Sequence, residues 1–410
     1  MADTRDLKSL VKYLTCGFES RSWHLRSLGK TLKMNRRDLV VLAAVVGTVF
    51  VSFAADRRPI GVFDSGIGGL TVLEKLMGHP GLAGEHFTYL GDQANMPYGN
   101  YDAEGKSAYL RELAVKDALF LVSDGYFEDG AGETPKGRKE PAKIVVIACN
   151  TATAYGRDAA DSVFKCVGAR QKVIGVINAG VRSTLRMLEA EKATAPIAIG
   201  VMATPGTIAS GAYPRTIAAE CAKRGVSVKV PVFSQGCPGL ADAIELGTAD
   251  AEKIARDNLL SLVDRYRKSG ETAPLKAVIL GCTHYPFLMP VLEKTRQELG
   301  MDFIFVDPAV DTAEECYRAL RDADMLAGRN PNETRVESYV SVPSKALPAD
   351  CIAPDGTLEY GYKYGREPGK DEVTTKFVPL KAGTVDRASL ARLVKLLPLT
   401  RSLLMRNGEL

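Results

Sequence analysis

The sequence predicts an α/β protein whose parallel sheets are covered by helices on both faces. Between about residues 59 and 325, short apolar runs rich in β-branched residues alternate with helical stretches, the alternation of a parallel sheet. Nearly every run ends in a polar loop, and a strand followed by a cysteine loop occurs twice. At 410 residues the chain is also longer than one hydrophobic core ordinarily serves, so two domains are expected.

In order, the candidate strands are PIGVF, FTYLG, KIVVIAC, KVIGVI, IAIGVM, SVKVPVF, KAVILGC and FIFVD. Ligands of such sheets gather beyond the carboxyl ends of the strands, so the residues after each run are the ones to inspect. The first run is followed by Asp64, Ser65 and Gly66, and the third by Cys149, Asn150 and Thr151. The fifth is followed by Thr204, Pro205, Gly206 and Thr207, and the seventh by Cys282, Thr283 and His284. Asp64 precedes Cys149 by 85 residues and Thr204 precedes Cys282 by 78, the near-equal spacing that two related α/β halves produce. A cleft between them presents one cysteine from each side. The stretch 123–142, rich in Gly, Glu and Lys, reads as an exposed insertion loop outside the chemistry.

Composition narrows the class. Hydrophobic residues make up 46%, charged residues 25% and aromatics 7%, which excludes bulk disorder. The net charge of +4, from 53 basic and 49 acidic residues, is too balanced for a nucleic-acid face or a broad membrane-binding surface. Eight irregularly spaced cysteines with no pair of C-x-x-C motifs argue against a zinc ribbon or a disulfide scaffold.

Residues 34–58 carry Arg36 and Arg37, an apolar run from Leu39 to Phe53, and Ser52 and Ala54 placed for cleavage. That is the layout of an export signal, with twin-arginine export open. The run is shorter than the roughly 20 apolar residues that span a bilayer comfortably, which puts export ahead of a permanent anchor. Because 33 residues precede Met34, Met34 is a candidate start, and residues 1–55 are set aside as a leader. Beyond about residue 326, VESYVSV, LEYGYKYG and TTKFVPL read as edge strands or hairpins. DRASLARLVKLL reads as a packing helix capped by Asp386 and ended by Pro398. No chemistry is legible in this tail.

FDSGIGGL (63–70) is a glycine-rich strand-to-helix turn. It lacks the Lys and Ser/Thr of a P-loop, and a tight turn with a capping Asp is its purely structural reading. The helix N-terminus also suits a carboxylate, with Asp64 beside it for an ammonium group. Cys149 taken alone reads as a packed core thiol. Cys282 differs, because His284 lies two residues on, placed to polarise a thiol or bind a carboxylate. C-x-H offers only two metal ligands, and a nucleophile with its base does not call for two similar cysteine loops. Two thiols facing across a substrate carbon do have a use: one removes the α-proton and the other delivers a proton to the opposite face, inverting configuration without a cofactor. The developing carbanion needs hydrogen bonds and fixed dipoles, for which Asn150, Thr151, Thr283 and the loop N–H groups are candidates.

With IGVFDSGIGGLTVL, YLGDQANMPYG, VVIACNTATA, VMATPGTIASGAY and VILGCTHYPFL in the family's order over roughly residues 59–320, the chain resembles the glutamate racemase family. FDSGIGG together with PYG separates that group from the related aspartate and hydantoin racemases. The resemblance implies a cofactor-independent, metal-free isomerase that interconverts L- and D-glutamate and supplies D-glutamate for peptidoglycan. It implies that Cys149 and Cys282 are the acid/base thiols, with Asp64 assisting the first and His284 the second. It makes Asp64, Ser65, Tyr98, Gly99, Asn150, Thr151, Thr204, Thr207, Thr283 and His284 substrate-binding residues, and places Asp92 and Glu245 as further acidic residues near the site. The implied fold is two flavodoxin-like domains related by pseudo-duplication, 59–176 with 311–330 and 177–310, with the site in the cleft between them and 331–410 as an extension. A homodimer and a cytoplasmic location follow from the family, whereas the leader points to export, with 34–54 as the membrane contact. Two rivals stand: a racemase of the same superfamily with another amino-acid substrate, and an exported, non-catalytic amino-acid-binding protein.

Overall fold

The computed structural model describes residues 56–190, 196–226, 229–328, 330–370, 373–381 and 384–410. The candidate export segment 34–54 therefore lies outside the described residues, among which no helix is long and apolar enough to cross a membrane. The strands are β1 (Ile60–Asp64), β2 (His86–Gly91), β3 (Gly125–Tyr126), β4 (Gly137–Arg138), β5 (Ile144–Ile147), β6 (Lys172–Gly175), β7 (Ala198–Ala203), β8 (Val232–Gly236), β9 (Leu275–Gly281), β10 (Ile304–Val306), β11 (Arg335–Pro343) and β12 (Thr375–Pro379). One six-stranded sheet has the order β12-β11-β2-β1-β5-β6, and a four-stranded sheet has the order β10-β9-β7-β8.

Every pairing in the two sheets is parallel except β11 with β12. β1 and β5 sit inside the first sheet, and all their residues are buried. A strand covered on both faces gains from apolar side chains at every position, which is why these runs are continuous rather than alternating. β1 pairs with β5 from Ile60↔Ile144 to Phe63↔Ile147, and β7 pairs with β9 up to Ala203↔Gly281. These registers bring Asp64 level with the loop that carries Cys149, and Thr204 level with Cys282.

Several local readings need correction. KVIGVI yields only the strand Lys172–Gly175, because Val176 and Ile177 open the helix Val176–Ala190. LEYGYKYG is not a strand: Tyr360–Gly365 is helical, with the Glu359 carboxylate accepting the Tyr362 N–H at 2.9 Å as its N-cap. The segment 123–142 is a docked hairpin of β3 and β4 rather than a free loop. Phe127 N–H donates to the Phe377 carbonyl of β12 at 3.0 Å, and the Gly130 carbonyl accepts from Lys345 N–H at 2.8 Å. The hairpin thereby covers an edge strand that would otherwise offer unpaired backbone.

The first sheet also runs past residue 330. β11 adds to the free edge of β2 in parallel register, Val336 opposite Phe87 and Val340 opposite Gly91, and β12 follows it. Asp386 caps the helix Arg387–Val394, its carboxylate accepting the Ser389 N–H at 2.7 Å. The helix Pro398–Asn407 returns to the helix Leu70–Gly78, where the Glu74 carboxylate accepts the N–H groups of Leu399 and Thr400.

Candidate active site

A small cavity lies at the carboxyl ends of both sheets. Ser65, Cys149, Asn150 and Thr151 line it from the first sheet, and Thr204, Cys282, Thr283 and His284 from the second. A third wall is formed by Met96, Pro97, Tyr98 and Gly99. Both cysteines are free thiols, 6% and 7% exposed.

Cys149 is the N-cap of the helix Asn150–Cys166, its sulfur accepting the Ala152 N–H at 3.3 Å, and Ser65 Oγ lies 3.7 Å away. Burial, reinforced by the nearby Asp64 charge, pushes this thiol up to about 12. Opposite it, Cys282 Sγ stands 3.7 Å from His284 Nδ1, while His284 Nε2 is 2.8 Å from Glu245 Oε2. The other Glu245 oxygen accepts from Gln93 Nε2 at 2.8 Å. Burial alone would lower the imidazole, but its contacts with Cys282 and Glu245 outweigh that and hold it well above the ordinary histidine range. The arrangement on this side is an imidazolium between a carboxylate and a sulfur.

Asp64, Thr207, Asp92 and Glu245 do not line the cavity; each stands behind a residue that does. Asp64 Oδ2 accepts the N–H groups of Gly66 and Gly69 at 3.2 and 3.1 Å, closing its own turn. Its Oδ1 is buried without a hydrogen-bond partner, and burial raises the carboxyl to about 6, against the pull of the His284 charge. Thr207 completes a hydroxyl triangle with Thr151 and Thr204, with Oγ1 separations of 2.9 to 3.1 Å. The Tyr98 hydroxyl is likewise unavailable to a ligand. It hydrogen-bonds both Asp92 and Asp117, the latter at 2.8 Å. One phenolic proton cannot serve two carboxylates. Burial and the Asp92 charge hold the Asp117 carboxyl well above its usual range, so the two carboxylates compete for the Tyr98 proton.

The glycines of FDSGIGG have a steric reason here rather than a phosphate-binding one. A Cβ at Gly68 would stand 2.2 Å from His284 Cε1, and one at Gly69 would stand 2.3 Å from Asp64 Cβ. Sequence reasoning missed Gln93, although it lies inside YLGDQANMPYG, and Tyr213, whose hydroxyl donates to Asn150 Oδ1 at 2.7 Å. It also missed Asp117, which occupies a buried helical position with no motif around it.

The Asp64 environment sets a stability prediction. Its folded pKa of about 6 lies above the ordinary 3.8, so the native state binds the extra proton between those values and loses stability as pH rises through them. For a fully buried group the effect is about 3 kcal/mol. Asp64→Asn is expected to gain on the wild type by about that amount between pH 4 and 7, in urea unfolding across that range. An unchanging difference between the two proteins would refute the buried-carboxylate assignment.

Residues 131–315 match the Asp/Glu/hydantoin racemase family. The chain is 34% identical over 260 residues to glutamate racemase of Limosilactobacillus fermentum, covering 63% of this chain and 78% of that protein. It is 34% identical over 315 residues to glutamate racemase of Listeria innocua, covering 74% and 98%. The crystal structure of glutamate racemase from Francisella tularensis in complex with D-glutamate is similar at a TM-score of 0.51 and 29% identity, covering 72% of this chain and 90% of that one. A glutamate racemase isoform from Bacillus anthracis is similar at the same score and identity, covering 70% and 89%.

Proposed function

This chain belongs to the glutamate racemase family of PLP-independent isomerases, and from that premise we propose that it interconverts L- and D-glutamate through Cys149 and Cys282. The observation that carries the proposal is the placement of two free thiols, one from each sheet, on one cavity. A thiolate removes the α-proton as the C–H electron pair passes to the α-carbon, and the thiol on the opposite face forms the new C–H bond. One thiol is gained and one lost, so the chemistry balances without an external acid, base or oxidant.

With its thiol pushed up to about 12, Cys149 is the proton donor when the α-hydrogen of the substrate faces Cys282. His284 is placed to hold a proton at Cys282, and Asp64 to assist at Cys149. Ser65, Asn150, Thr151, Thr204 and Thr283, with the backbone of Tyr98 and Gly99, offer polar groups to the substrate carboxylates and the developing carbanion. Asp64, Thr207, Asp92 and Glu245 support these groups from behind. The product D-glutamate serves peptidoglycan synthesis, and a cytoplasmic setting keeps both thiols reduced.

The test is proton NMR of L-glutamate and of D-glutamate, each incubated in D2O with the reduced full-length protein. Loss of the α-proton signal together with appearance of the opposite enantiomer is the expected result. No exchange with either enantiomer, in folded and reduced protein, would overturn the glutamate assignment and favour another amino acid or a binding role.

A further inference from the structure

Residues 331–410 carry none of the family motifs, yet they meet the candidate active site from two sides. On one side they grip the segment that forms the third cavity wall. Ala94 N–H donates to Ser341 Oγ at 2.9 Å, Lys363 Nζ donates to the Met96 carbonyl at 2.6 Å, and Arg366 Nη2 donates to Asn95 Oδ1 at 2.6 Å and to the Tyr101 hydroxyl at 3.2 Å. Arg366 is 8% exposed, and a buried guanidinium is tolerated only where fixed acceptors surround it. Two more of its N–H groups find them in the Lys363 carbonyl and Thr374 Oγ1, at 3.1 and 2.9 Å. The wall residues Met96 and Pro97 are thus flanked by Asn95 and Tyr101, which Arg366 holds.

On the other side Arg392, from the helix Arg387–Val394, donates to the Glu245 carbonyl at the end of the helix Leu240–Leu246. A Cβ at the C-cap Gly247 would lie 2.5 Å from the Arg392 guanidinium carbon, so the guanidinium packs directly against the end of this helix. Glu245 in turn holds His284, which stands at Cys282. A displaced Arg392 is therefore transmitted through one helix end and one carboxylate to the second thiol.

We infer that the C-terminal extension is a built-in brace of the racemase site, with Arg366 the positioning residue for the substrate wall and Arg392 the positioning residue for the Glu245–His284–Cys282 side. The inference rests on the proposed racemase activity for its kinetic consequences and on geometry alone for its mechanical ones. The two arginines brace different parts of the reaction, so their loss has different signatures. Arg366→Met is expected to raise KM for glutamate about tenfold with kcat changed less than about threefold, the loss of a charged hydrogen bond on a binding wall. Arg392→Met is expected to lower kcat about tenfold with KM changed less than about threefold.

Leu404→Ala, a core truncation in the last helix that touches neither wall, is the control for mere loss of stability. Amide hydrogen exchange of the full-length variants supplies a readout independent of activity. Arg366→Met should speed exchange selectively in residues 93–101 and Arg392→Met selectively in 240–247, while Leu404→Ala does neither. If both arginine variants match Leu404→Ala in kinetics and in exchange, the brace is overturned. If the wild type fails to racemise glutamate, the functional proposal falls, and the exchange pattern still decides whether the extension holds the two segments.

Discussion

Replacing either Cys149 or Cys282 by serine is expected to lower glutamate racemisation about a thousandfold, within the range that a positioned acid or base supplies. A serine hydroxyl is close to a thiol in size but far weaker as an acid, so the substitution removes the chemistry and keeps the shape. At position 149 the fold should be preserved, because a serine oxygen is a better N-cap than sulfur for the Ala152 N–H that Cys149 now accepts. Each variant should still exchange the α-proton of the enantiomer facing its surviving thiol, and the two variants should exchange opposite enantiomers. The measurement is enantiomer-resolved α-proton exchange in D2O. Racemisation within tenfold of wild type in either variant would remove the two-thiol reading.

Gly68→Ala is expected to lower kcat about a hundredfold while leaving both thiols untouched. The new methyl group would stand 2.2 Å from His284 Cε1 and 2.6 Å from each ring nitrogen, so the imidazole must move. It cannot move freely, since Glu245 holds Nε2 and Cys282 stands at Nδ1. The strain should also cost about 1–3 kcal/mol of stability, as overpacking does elsewhere. Gly78→Ala, whose Cβ meets only Leu399 Cδ1 at 3.7 Å, provides the unstrained comparison. A kcat for Gly68→Ala within threefold of wild type would show that His284 is not held as described.

The parallel α/β class and the succession of strands along the body of the chain were legible because strands buried on both faces must be continuously apolar, and that pattern is local. The candidate chemistry was legible for a different reason: ligands of parallel sheets gather beyond the carboxyl ends of the strands, which singled out the residues there, Cys149, Thr204, Cys282 and His284. Local reading failed where a partner distant in the chain decided the outcome. LEYGYKYG alternates like a strand, but the Glu359 cap and the docking of Lys363 and Tyr364 on Met96 and Pro97 make it a helix. The 123–142 insertion looked free because its partner strand, β12, lies more than 200 residues later.

By itself the sequence determined the sheet class, the pair of cysteine loops and the set of polar residues around them, since backbone propensity and burial pattern act over a few residues. The tertiary structure alone decided which of those residues face the cavity and which stand behind it. Whether Asp64 or Tyr98 presents its polar atoms to a ligand depends on hydrogen bonds to Gly69 and Asp117, and such competition for protons has no periodic signature in a chain. The same holds for the extension: Arg366 and Arg392 are ordinary surface-type residues in sequence, and only the folding of β11 onto β2 carries them to Asn95 and Glu245.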